Sequence, residues 1–108
     1  MSQQAPVSAV VNNDLKFNVA ITYESAPLIL EPYTLKVVLK TSASTPDSAG
    51  LTFEEGSGLT VTYPSEFTWV IPRADNTTAG QLWYRVDIID GSGDVATALY
   101  GNFTVIAA

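Results

Sequence analysis

The stretch LWYRVDIIDGSGDVATALYGNFTV, residues 82–105, decides the fold. Apolar residues alternate with other residues on both sides of a turn sequence, the pattern of two β-strands that each bury one face. If residues 91–94 form a four-residue hairpin loop, Asp90 faces Val95, and facing residue numbers sum to 185. That register brings the apolar residues of both strands onto one face, pairing Leu82 with Phe103, Tyr84 with Gly101 and Val86 with Leu99.

The same alternation continues through the rest of the chain, and each run ends at Gly, Pro, Asn, Asp or Ser. Further strands are predicted at residues 7–11, 15–23, 34–40, 51–53, 59–63 and 67–71. One segment, residues 72–79, is predicted to form a short helical turn, because Pro72 opens it and Gly80 follows it. The pattern therefore predicts one all-β domain over residues 1–108, an immunoglobulin-like antiparallel β-sandwich of about seven strands.

The alternation also predicts the core. Twelve apolar or aromatic residues are expected to be buried between the two sheets, namely Phe17, Val19, Ile21, Leu35, Val37, Leu39, Phe67, Trp69, Tyr84, Val86, Leu99 and Phe103. Hydrophobic residues make up 46% of the 108-residue chain, which is ample for one core.

The charge balance limits the classes of partner. Five Lys and Arg stand against eleven Asp and Glu, and the basic residues are scattered along the sequence. Binding to a phosphate backbone is therefore not expected, so nucleic acid is not a predicted partner. The first residues lack the pattern of a signal peptide, and no stretch approaches the roughly 18 apolar residues of a membrane span. The sequence predicts synthesis and folding in a cytoplasm, without a membrane partner.

Several kinds of chemistry are not available to this sequence. The chain has no His and no Cys, so the usual catalytic triad and zinc or thiolate sites cannot be built. Glu54 and Glu55 are the one adjacent carboxylate pair, but neighbours in an extended strand point to opposite faces. We expect a non-enzymatic protein without catalytic residues, cofactor or metal.

Three carboxylates lie around the turn, at Asp87, Asp90 and Asp94, and carboxylate oxygens are the ligands that calcium prefers. The spacing does not match a calcium loop of the helix-loop-helix kind. Asp-Gly-Ser-Gly-Asp is also a sequence that hairpin turns favour, and a structural turn is the favoured interpretation.

Alternation places a candidate binding surface on the outside of the same hairpin. The residues expected there are Val38, Trp83, Arg85, Ile89 and Tyr100. Trp, Tyr and Arg dominate the energetic centres of protein interfaces, so this face is the predicted interface. The alternative is that Trp83 lies flat on its own sheet under Arg85, since scattered surface apolar residues are common.

The order of these features resembles a known family, the small immunoglobulin-like β-sandwich proteins of tailed bacteriophages, such as the N-terminal domain of upper baseplate proteins. The segments that carry the resemblance are residues 11–17 (VNNDLKF), 33–37 (YTLKV), 58–61 (GLTV), 67–72 (FTWVIP), 83–87 (WYRVD) and 99–105 (LYGNFTV).

The resemblance implies a bacteriophage virion structural protein, an accessory or decoration module of the tail, baseplate, fibre or capsid. It would be made in the bacterial cytoplasm, reside in the virion, and bind other virion proteins or copies of itself as a homo-oligomer or multi-copy assembly. A module that binds carbohydrate, such as a host-surface glycan, is the alternative. Exposed Trp and Tyr beside Asp and Asn are the usual chemistry of such a site.

Overall fold

The computed structural model describes residues 3–4, 7–23, 26–62, 65–76 and 79–106. These residues form eleven strands and two short 3-10 turns, with no helix long and apolar enough to cross a membrane among them. The strands are β1 (Gln3–Gln4), β2 (Val7–Val10), β3 (Leu15–Ala20), β4 (Thr22–Tyr23), β5 (Ala26–Pro27), β6 (Thr34–Lys40), β7 (Leu51–Glu55), β8 (Gly58–Thr62), β9 (Glu66–Ile71), β10 (Gly80–Ile89) and β11 (Val95–Ile106). The two 3-10 turns are η1 (Asp47–Ala49) and η2 (Arg73–Asp75).

Nine of these strands belong to one hydrogen-bonded sheet that folds over on itself into two layers. The order is β1-β11-β10-β6-β7-β8-β9-β3, and β2 also pairs with β11. The sheet changes layer at the tight turn between β7 and β8, where Gly56 has a φ of 83°. The layers face each other through Trp69 of β9, whose ring centroid lies 5.7 Å from those of Tyr84 on β10 and Phe103 on β11. The predicted all-β sandwich is confirmed.

The strand order follows the immunoglobulin arrangement. One layer holds β3, β9 and β8, and the other holds β7, β6, β10 and β11. The sheet is mixed, however, because β1 and β2 run parallel to β11 and two residue pairs join β7 and β8 in parallel. After β2 the chain turns away into the facing layer, with Asn12 at a positive φ of 65°. Strand β2 therefore lies beside β11 on the side away from β10, and it runs parallel to β11.

The β10–β11 hairpin has the predicted register over most of its length, but only because two local differences from the prediction compensate each other. Asp90 faces Asp94, not Val95: the N–H of Asp90 donates to the Asp94 carbonyl at 3.0 Å, and Gly93 has a φ of 86°. The loop is thus one residue shorter than predicted, of the three-residue kind with glycine in the left-handed region. A bulge at Val86/Asp87 adds one residue on β11 and restores the predicted pairs from Val86 to Leu82.

Other elements differ locally from the predictions. The strand predicted over residues 15–23 ends at Ala20, and a separate small hairpin, β4–β5, follows it. The helical turn predicted at residues 72–79 is the shorter η2, and residues 77–78 lie outside the described part of the chain, as does Tyr63. The loop over residues 41–50 contains the unpredicted 3-10 turn η1.

The predicted core lies between the two layers. Ten of the twelve predicted residues are buried, and Phe17 and Val19 on the edge strand β3 are half-buried against the same core. Trp69 lies at the centre of this core and is 1% exposed. The centroid of its ring lies 5.5 Å from that of Phe17 and 5.6 Å from that of Phe53. Aromatic side chains from both layers therefore meet on one indole.

Substitution of Trp69 by Ala should lower the free energy of unfolding by about 3 to 5 kcal/mol, because it removes the largest buried side chain and leaves a cavity between the layers. Urea unfolding followed by circular dichroism measures this loss. Trp83→Ala is the matched control, since this half-buried indole lies outside the core and its loss should cost clearly less. Equal costs for the two substitutions would contradict this description of the core.

Candidate functional site

The solvent side of the layer formed by β11, β10, β6 and β7 is called the outer face. Cross-strand pairing fixes which side chains stand together on it. Moving along β10, the rows over β11, β10 and β6 are Asn102–Trp83–Lys40, Tyr100–Arg85–Val38, Thr97–Asp87–Lys36 and Val95–Ile89–Thr34. The structure therefore brings all five predicted interface residues onto one face.

The predicted residues differ in what they present to solvent. Trp83, Tyr100 and Ile89 are half-buried, and 21% of the Arg85 side chain is exposed. Val38 is 0% exposed, which corrects the prediction that it is available to a partner. The physical reason is the loop over residues 41–50, whose turn η1 contacts both β6 and β7 and is tied to Arg85, the cross-strand neighbour of Val38.

The loop is held down by a charge network centred on Asp47. The Asp47 carboxylate accepts hydrogen bonds from Lys40 Nζ at 2.8 Å and from Arg85 Nη2 at 2.7 Å. The Nε of Arg85 donates to both carboxylate oxygens of Asp87 at 3.0 Å, and the Thr97 hydroxyl donates to the same carboxylate at 3.0 Å. Two cations and two anions thus neutralise each other on the outer face.

These contacts shift the acidity of the network. Hydrogen bonds from Arg85 and then from Lys40 lower the pKa of Asp47 from 3.8 to about 2. The bond to Asp47 in turn raises the pKa of Arg85. Asp47 and Arg85 therefore remain charged at neutral pH, and Arg85 is already committed to partners within its own chain.

The aromatic pair consists of Trp83 and Tyr100. Their ring centroids lie 6.4 Å apart, with an angle of 39° between the ring planes. The ammonium of Lys40 lies 5.2 Å from the centroid of the Trp83 ring, a cation–π contact, and only 4% of the Lys40 side chain is exposed. Trp83 is therefore in contact with Lys40 and Tyr100 and partly open to solvent, while the guanidinium of Arg85 faces Asp47 and Asp87.

The acidic turn is explained by its own hydrogen bonds. The Asp90 carboxylate accepts the backbone N–H of Ser92 at 2.8 Å and that of Asp94 at 3.1 Å. Asp87 points instead into the network with Arg85. No group of three or more potential metal-ligating side chains occurs among the residues that the structure describes. The contacts of Asp90 are those of a structural turn.

A cleft of about 320 Å³ opens between the two layers, away from the acidic turn. Its walls include Leu15, Leu82 and Phe103. Two polar residues at its border are already engaged, Lys40 with Asp47 and the Asn76 amide with the carbonyls of Val10 and Asn13. The cleft presents a mainly apolar surface.

Asp47 and Lys40 are the important residues of this face that the sequence analysis missed. Lys40 lies in phase with Val38 on β6, so alternation turns it to the outer face, but it was not among the residues predicted for the interface. Asp47 carried no such signal, because it lies in a loop of Ser, Thr and Pro whose path over the sheet is not encoded in a period.

Replacing Asp47 by Asn should destabilise the protein at pH 7, on the order of 1 kcal/mol, since solvent screens a carboxylate that is 43% exposed. The folded pKa is lowered, so the stabilisation is complete above about pH 4 and is lost as the pH falls towards 2. Urea unfolding of both proteins at several pH values should give a difference that shrinks over that range. Glu55→Gln, at an exposed position, is the charge-matched control; a constant Asp47→Asn difference down to pH 2 would contradict the network.

Comparison with known proteins identifies no family. No family model matches the chain, and no curated protein matches it. Among solved structures it is similar to part of a 2,6-sialyltransferase from the Vibrionaceae bacterium Photobacterium sp. JT-ISH-224, in a ternary complex with the donor product CMP and the acceptor substrate lactose. The identity is 10% and the TM-score 0.40, over 96% of this chain and 18% of that chain. A likeness at this level supports no statement about the function of this chain.

Proposed function

We propose that this protein is a non-enzymatic structural module of a bacteriophage virion, an immunoglobulin-like accessory or decoration domain of the tail, baseplate, fibre or capsid. It acts through protein–protein contacts, and its partners are other virion proteins present in many copies. The observation that carries the proposal is the aromatic pair Trp83–Tyr100, partly exposed on a sheet face whose neighbouring charged side chains are engaged in internal ion pairs. The phage assignment itself comes from the sequence resemblance.

The outer face has the properties of a preorganised binding surface. Trp and Tyr supply large contact areas with few rotatable bonds, and both belong to the residues that dominate binding energy at interfaces. Here the Trp83 ring is restrained by Lys40 and by Tyr100, so little side-chain entropy remains to be lost on binding. The charges beside the pair are neutralised within the chain, which lowers the cost of removing water from this face.

A second function, binding of a host-surface glycan, is favoured by one observation. Asn102 is exposed and stands directly opposite Trp83, so an amide adjoins the aromatic pair, as in many sugar sites. Against this, sugar rings stack on open, flat aromatic faces. One face of Trp83 is approached by the Lys40 ammonium, and the two rings are tilted by 39°. Protein contact is therefore the preferred proposal.

The double variant Trp83→Ser and Tyr100→Ser should fold but fail to enter the particle, because it removes the aromatic contact area while leaving the core untouched. Circular dichroism checks the fold. Quantitative mass spectrometry of virions purified from a host carrying the encoding genome measures incorporation, which should drop at least about tenfold, the effect of losing about 1.4 kcal/mol of binding free energy.

The matched control is Val70→Ser, an exposed apolar position on the opposite layer, which should be incorporated like the unmodified chain. Normal incorporation of the double variant would refute the role of the aromatic pair and redirect the search to the loops at residues 41–50 and 90–94. If the unmodified chain is absent from virions but is retained by immobilised glycans, and the double variant is not retained, the glycan function replaces the proposed one.

A further inference from the structure

The outward side chains of the last strand form an uncharged surface, called here the β11 strip. It consists of Val95, Thr97, Tyr100, Asn102, Thr104 and Ile106. Its two end residues are exposed apolar side chains, Val95 at 61% and Ile106 at 52%. The whole chain carries a net charge of −6, so two copies repel each other over most of their surfaces. The β11 strip is a place where they can approach without bringing carboxylates together.

The order of side chains along the strip reads alike from both ends. From either end it runs from a β-branched apolar residue to a Thr and then to a hydrogen-bonding residue, Tyr100 or Asn102. The bulge at Val86/Asp87 makes this symmetry possible. Its extra residue on β11 keeps Thr97 on the outer side of the sheet, where the Thr97 hydroxyl donates to Asp87. A regular strand would have turned Thr97 to the other face relative to Tyr100.

A surface of this kind matches a second copy of itself. A two-fold axis that lies in the plane between the two facing sheets, perpendicular to β11 and level with the gap between Tyr100 and Asn102, sets Val95 against the partner subunit's Ile106 and Thr97 against the partner subunit's Thr104. It also sets Tyr100 against the partner subunit's Asn102, a phenol against an amide that can both donate and accept. Apolar groups then meet apolar groups and polar groups meet polar groups, as an isologous interface requires.

The size of the strip suits a weak association. The twelve residues of β11 span about 35 Å, and three neighbouring strands are about 14 Å wide. Such a face covers about 500 Å² on each copy, or roughly 1,000 Å² in total, which lies at the low end for specific interfaces. An assembly that presents many copies side by side adds to such a contact by its high effective concentration.

We propose that the β11 strip is a homotypic interface, through which two copies of this chain pack outer face to outer face with their β11 strands antiparallel. This inference rests on the proposed function in so far as that assigns protein contacts to the outer face, and it names the partner as a second copy. Trp83 borders the interface through its contact with Tyr100, close to the two-fold axis.

Site-directed crosslinking tests the predicted register, and the chain is suited to it because it contains no Cys. A mixture of Val95→Cys and Ile106→Cys, treated with a short bismaleimide, should give a covalent dimer. Each variant alone should not, because identical positions lie at opposite ends of the strip, about 35 Å apart. A mixture of Val95→Cys with Thr60→Cys, on the outer side of the other layer, is the control without crosslinks. Crosslinking of Val95→Cys with itself, or none in the first mixture, would overturn the two-fold register.

Self-association in solution gives an independent readout on the purified protein. Sedimentation velocity up to about 1 mM protein should show a monomer–dimer equilibrium that strengthens with salt, since salt screens the repulsion between like-charged copies. Thr104→Glu should weaken the dimer at least about tenfold, because it buries an unpaired carboxylate. Thr60→Glu adds the same charge at an exposed site outside the strip and should leave most of the dimer intact.

The failure of this inference can be told apart from failure of the proposed function. A chain that stays monomeric at all concentrations and salts, yet enters virions only with Trp83 and Tyr100 intact, would refute the homotypic interface and leave the virion role standing. A chain that dimerises and crosslinks as described but is absent from virions would support the interface and refute the virion role.

Discussion

Both layers of the sandwich make contact with the indole of Trp69, and the rest of the architecture depends on its burial. Rings from four different strands, β3, β7, β10 and β11, lie within 5.7 Å of it, centroid to centroid. No acceptor for its N–H occurs in the described part of the chain, a cost of about 1 to 3 kcal/mol for a buried donor. The gain from burying a large aromatic group among other aromatic groups has to exceed that cost. A chain without disulfides relies on packing, and the aromatic contacts between the two layers meet at this position.

The burial of Trp69 also sets the phase of the strands around it, and through that phase it defines the outer face. Because Tyr84 and Phe103 turn inward to meet the indole, Trp83, Arg85 and Asn102 are forced outward on the same strands. The same alternation of side chains along β10 and β11 therefore determines both the core and the candidate binding surface. A change of register by one residue would exchange them, which is why the bulge at Val86/Asp87 matters as much for the surface as for the hairpin.

The outer face is then divided by its own contacts into a closed part and an open part. On the β6 side, Asp47 forms ion pairs with Lys40 and Arg85 and so holds the loop over residues 41–50 against the sheet, where Val38 is buried. The β11 side stays open, with Tyr100 and the uncharged residues on either side of it, and Trp83 lies at the border between the two parts. The ion pairs do more than hold a loop, because they satisfy the charges of Lys40, Arg85, Asp47 and Asp87 within the chain. A partner that approaches the β11 side therefore meets an aromatic and uncharged surface.

The sequence by itself determined the all-β sandwich, most of its strands, most of the core, and the side of the sheet on which Trp83, Arg85 and Tyr100 stand. Period-two alternation encodes all of these, because each depends on residues next to one another in a strand. It did not reveal that the turn is one residue shorter than its composition suggested, or that a bulge at Val86/Asp87 compensates for this difference. Only the tertiary structure decided that Val38 is covered and that Arg85 is already paired, since Asp47 reaches them from a loop with no periodic signal. Contacts between segments distant in sequence depend on the path of the chain in space, and local patterns carry no information about that path.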